Sequence, residues 1–218
     1  MHVSALIKRP PKYESISVGI LYILMNSIGI FTSSIIIAGI LLEKSMRTSQ
    51  CYRMMLCISV LGIIQQVIGL ISGFLTIWPL ENVYATKIAG ALFEPMWMCM
   101  LYFIFLLSVN RLGIVSTSYV YKNWITSICN VLSLVSILLG LGFVIAFLTP
   151  NVTMRYDPYI YAWRYFHTTE AFIVAMFEAC SLTPLSILSL VNYIGILIAI
   201  YRKVSSIHSG GAQIQLPL

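Results

Sequence analysis

Five long apolar runs, separated by short polar gaps, set the pattern of this chain. They fall at about residues 16–42, 52–78, 88–110, 124–148 and 169–201. Each is long enough for a helix to cross a hydrocarbon core about 30 Å thick at about 1.5 Å per residue. The gaps carry the charges: Glu43 to Gln50, Leu80 to Lys87, Arg111 to Asn123, and Pro150 to His167. No segment alternates as a strand does, and no repeat recurs at a fixed period, so the expectation is five spanning helices and no strand. The whole chain, residues 1–218, reads as one membrane domain, with residues 202–218 a short cytoplasmic tail.

The middle run organises the rest. It carries one internal charge, Glu94, and ends at Val109-Asn110-Arg111-Leu112. Arg111 suits a stop-transfer charge that reaches the headgroups; it equally suits a functional residue at the mouth of a helix bundle. Within the second run, Gly69 and Gly73 stand one turn apart, a spacing that lets membrane helices approach closely. Pro79 helps to end that run, and Pro184 is expected to kink the fifth. Residues 1–15 are polar and basic ahead of the first run. That run is too long for a signal-peptide core, so it is expected to stay as a span.

Composition agrees with the pattern. Apolar residues make up 59% of the chain and charged residues 9%, far from the quarter or so charged in a soluble domain. The net charge of +6 does not point to nucleic acid, because the basic residues flank the apolar runs and form no cluster. Cys51, Cys57, Cys99, Cys129 and Cys180 lie in or beside apolar runs, which argues against an extracellular disulfide framework. His2, His167 and His208 are scattered, and no metal site or cofactor is expected. No Ser-His-Asp set, HExxH or glycine-rich phosphate loop appears, so no enzyme activity is expected.

Orientation follows from flanking charge. With the N-terminus outside, the inner regions hold Lys44, Arg47, Arg53, Arg111, Lys122, Arg202 and Lys203. The outer regions hold Lys8, Arg9, Lys12, Lys87, Arg155 and Arg164. The sequon Asn151-Val152-Thr153 also places its loop outside, with Asn151 as the glycosylation candidate. The expectation is a multi-pass protein of the plasma membrane with its C-terminus in the cytoplasm.

Three stretches resemble nematode serpentine chemoreceptors, seven-helix receptors of the G-protein-coupled type, closest to class T with class X as a near alternative. They are Cys51-Tyr52-Arg53-Met54-Met55-Leu56 followed by Leu61-Gly62-Ile63-Ile64, then Ser108-Val109-Asn110-Arg111-Leu112, then Tyr156-Asp157-Pro158 with Tyr161-Ala162-Trp163. The resemblance covers about residues 16–203. It implies an all-α membrane protein holding five helices of a seven-helix receptor-like bundle, truncated after the fifth. It further implies a small-molecule ligand, a heterotrimeric G protein and a receptor oligomer as partners, beside the lipid bilayer. Asn110 and Arg111 become the candidates for G-protein coupling. Gln65 stands where the wider class often carries an acid, and the usual receptor disulfide has no cysteines here.

The ligand-binding candidates are Glu94, Trp97 and Glu178. Glu94 is a ligand contact or polar anchor within the bundle, unless it lies shallow enough to reach water. Glu178 sits deeper and should face other helices. Tyr159, Tyr161 and Trp163 suit interfacial anchoring, or a lid over a pocket. A rival reading is a small transporter or channel component, which would call for inverted repeats and paired broken helices. A third is a non-signalling receptor fragment.

Overall fold

The computed structural model describes residues 10–79, 83–116, 119–166 and 168–209. The side chains of residues 83, 116, 119–123, 203 and 206–209 fall outside that description. Lys8, Arg9, His2 and His167 therefore lie outside it, as do the side chains of Lys122, Lys203 and His208, residues 80–82, and the tail beyond residue 209.

The described chain is mostly helical. Helix α1 is Lys12–Leu42, α2 is Lys44–Thr48, α3 is Gln50–Ile77, α4 is Val83–Ser116, α5 is Tyr119–Leu148 and α6 is Thr169–Ser209. Strands β1 (Met154–Asp157) and β2 (Ala162–Tyr165) lie between α5 and α6. Five segments are long and apolar enough to cross a membrane: Lys12–Leu42, Gln50–Ile77, Tyr84–Val115, Trp124–Leu148 and Thr169–Arg202. They correspond to the five apolar runs.

The helices overrun the apolar runs at their ends. Helix α4 continues to Ser116, so Asn110 and Arg111 lie inside a helix and not at its last turn. The short α2 occupies part of the Glu43–Gln50 gap, with Glu43 accepting from the Ser45 amide at its N-terminus. Pro95 and Pro184 both sit within continuous helix.

Helix α4 is the hub. It packs against α3, α5, α6 and β1, while α1 packs chiefly against α3. This explains why α4 carries the most buried side chains, among them Ala91, Glu94, Met98, Phe103, Leu106 and Asn110. The α1–α3 seam is built on small residues. A Cβ on Gly73 would lie 2.8 Å from Ile23 Cγ1 and 3.0 Å from the Gly19 carbonyl oxygen. Gly69 lies against Asn26 and Gly29 against Gln66. The Gly69/Gly73 spacing thus serves one contact, the approach of α1. Gly140 plays a similar part on α5, where its absent Cβ would lie 3.4 Å from the Cβ of Cys99.

The expectation of no strand needs correction. Residues 150–167 contain an antiparallel hairpin pairing Met154 with Tyr165, Arg155 with Arg164, Tyr156 with Trp163 and Asp157 with Ala162. Its strands have four residues each, too short for a convincing alternation. Met154 and Tyr156 nevertheless turn inward while Arg155 and Asp157 are half-exposed. Asp157 sets the turn: its Oδ1 accepts from the Tyr159 amide at 2.9 Å and its carbonyl from the Ile160 amide at 3.3 Å. The opposed arginines would repel across the ladder. Arg164 instead binds Asp157 at 3.1 Å, and Arg155 lies over the Phe166 ring at 4.7 Å.

Candidate functional site

The two ends of the bundle differ in chemistry, and each holds some of the residues singled out above. At the first, the hairpin covers the helix ends. Trp163 stacks on Phe93 of α4, ring centroids 5.3 Å apart, and meets Tyr156 edge-on. Tyr165 packs on Phe147 of α5. Gly90 of α4 admits the β1 backbone, because a Cβ there would collide with the Met154 carbonyl. Tyr156 and Thr76 of α3 share a hydroxyl–hydroxyl bond of 2.5 Å, and Tyr22 of α1 donates to the Tyr161 carbonyl at 2.7 Å. Ala91, Phe147, Val152 and Met154 form a buried apolar cluster beneath.

Within this cap, α4 and α6 bring two carboxyl groups together. Glu94 is 6% exposed, and its carboxyl engages that of Glu178. Tyr165 donates to Glu178 Oε2 at 2.5 Å. Burial, reinforced by this bond to Glu178, pushes the Tyr165 phenol well above the usual tyrosine range. Burial likewise pushes Tyr156 up to about 12, partly offset by its bond to Thr76. Nearby, Gln65 of α3 donates to the Phe93 carbonyl at 3.4 Å, which ties α3 to α4. Trp97, one turn on from Glu94 along α4, is 41% exposed.

The opposite end holds a chain of amides. Asn110, 1% exposed, donates to Gln50 Oε1 at 2.6 Å. Gln50 in turn donates to the Thr126 carbonyl at 2.7 Å and to Asn130 Oδ1 at 3.0 Å. This links α3, α4 and α5. Asn192 of α6 donates to Ser108 Oγ at 3.0 Å. Arg111 is half-buried; its Nη2 donates to Met55 Sδ at 3.4 Å, and its buried Nε has no partner. Asn110 is thus turned into the bundle, while Arg111 carries the unbalanced charge.

Asn151 is exposed just beyond α5, while Thr153 of its sequon is buried and donates to the Pro150 carbonyl at 3.2 Å. All five cysteines are free thiols. Among the described residues, no group of three or more His, Cys, Asp or Glu side chains is placed to hold a metal ion. A groove of about 430 Å³ runs along α5 beside Leu139 and Phe143. A cleft of about 310 Å³ lies among Lys12, Ser15, Thr76 and Tyr159. Neither is lined by Glu94 or Glu178.

Sequence reading did not single out Gln50, Asn130, Asn192 or Tyr165. The first three carried a signal, an amide in or beside an apolar run. Tyr165 carried none, because it depends on the hairpin register. No protein-family model matches the chain, and no curated protein matches it.

Proposed function

We propose that this chain is the first five helices of a chemoreceptor-like membrane protein that takes a small molecule at the hairpin end and couples to a G protein at the Arg111 end. The observation that carries this reading is the polarity of α4. One helix, packed against α3, α5 and α6, has a buried acid at one end and a half-buried guanidinium at the other. Arg111 makes no ion pair among the described residues, and its Nη2 meets only a thioether. A membrane anchor needs only positive charge near headgroups, whereas a guanidinium presents a fixed fork of donors suited to a protein acceptor. In this reading the hairpin faces outside, the N-terminus is outside, and two further helices complete the pocket.

The test compares Arg111, Arg111→Lys and Arg111→Ala in a seven-helix product whose last two helices come from a full-length relative. The readout is guanine-nucleotide exchange on purified heterotrimeric G proteins at matched surface levels. The reading expects exchange above background for Arg111 and a loss in both variants, with insertion intact. Full exchange by Arg111→Lys, with Arg111→Ala failing only through lost orientation, would reduce Arg111 to an anchor.

A further inference from the structure

The hairpin touches α1 at its tip, and that contact has an unusual backbone. Tyr161 adopts φ 56°, the positive-φ conformation seen among the described residues. A side chain other than glycine keeps such a backbone only where its surroundings over-determine it. Two α1 side chains do so. Tyr22 Oη donates to the Tyr161 carbonyl at 2.7 Å, and Ser15 Oγ shares a 3.1 Å bond with Tyr161 Oη. The other contacts of the hairpin go to α3, α4, α5 and α6, whereas α1 itself packs chiefly on α3. The tip therefore adds a second tie from α1, beside its packing on α3, to the elements that the hairpin covers.

We propose that the β1–β2 hairpin is a lid and that Tyr22 and Ser15 of α1 form its clasp, holding the strained Tyr161 turn shut. Release of the clasp lets Tyr161 relax to negative φ and frees the tip. The hairpin then lifts from Ala91 and Phe147 and opens a path to the Glu94–Glu178–Tyr165 cluster. This inference is independent of G-protein coupling and holds for any ligand that must pass the hairpin.

The test uses Ala91→Cys, a small change at a site 1% exposed beneath the hairpin. Labelling by a water-soluble maleimide is followed in membrane fragments open on both sides, with the native thiols measured in the unchanged chain as background. Cys129, 1% exposed toward the other end of the bundle, reports global loosening. Tyr22→Phe keeps the ring and removes one bond. The expected result is labelling at Ala91→Cys about five-fold faster, the effect of one hydrogen bond, with Cys129 unchanged. Ser15→Ala and Tyr161→Phe each delete the second bond, and should accelerate labelling equally and without adding to each other. The proposal is overturned if Ala91→Cys already reacts as fast as an exposed thiol. It is equally overturned if the clasp variants leave its rate unchanged, or if Cys129 speeds up in parallel. Should Tyr22→Phe not insert, the Ser15→Ala and Tyr161→Phe pair decides.

Discussion

Truncating Asn110 to alanine removes the donor that Gln50 Oε1 accepts at 2.6 Å, at a site 1% exposed. An interhelical hydrogen bond in a membrane protein is worth about 1 kcal/mol. Gln50, 8% exposed, is then left with an unpartnered carbonyl oxygen, which adds about 1–2 kcal/mol. The expected loss is therefore about 2–3 kcal/mol, large beside a typical surface change of about 0.5 kcal/mol. Gln50→Ala should cost at least as much, because it also breaks the bonds to the Thr126 carbonyl and to Asn130. Unfolding by a denaturing detergent in mixed micelles, followed by circular dichroism, measures both. The double variant should be less destabilised than the sum of the singles by about 1 kcal/mol, since the two share one bond. An Asn110→Ala cost below about 0.5 kcal/mol, or strict additivity with Gln50→Ala, would refute the amide chain as the tie between α3 and α4.

Two further outcomes are expected. Gly73→Ala places a methyl group against the Gly19 carbonyl and Ile23. It should force α1 from α3 at a cost of about 1–3 kcal/mol in the same assay, whereas Gly39→Ala, with open space around its Cβ, should not. Asn151 should carry a glycan in the secretory pathway, seen as a glycosidase-sensitive gel shift that Asn151→Gln abolishes; an unshifted wild type would remove that support for the hairpin facing outside.

The five helices were legible because a membrane span announces itself by length and apolarity alone. The central place of α4 was hinted at by Glu94 and by the Asn110-Arg111 pair. Partners were not legible. Asn110 meets Gln50 because α3 begins at Gln50, a position the charge pattern assigned to a loop. The hairpin was missed because four-residue strands give the alternation too few positions to register, and because aromatic residues near a membrane have an interfacial explanation at hand. Trp97 illustrates the converse. It stands one turn from Glu94, where i and i+3 share a helix face, yet it remains 41% exposed while Glu94 is buried.

The meeting of Glu94 and Glu178 beneath the hairpin is the feature on which the account of the site rests. Paired cysteines test it directly. In Glu94→Cys/Glu178→Cys, oxidation in the membrane should cross-link α4 to α6, read as a shifted fragment after cleavage in the intervening loop. Trp97→Cys/Glu178→Cys should remain uncross-linked under the same conditions. Efficient cross-linking of the Trp97 pair, with none in the Glu94 pair, would contradict the meeting of Glu94 with Glu178 and remove the basis for a site at that end.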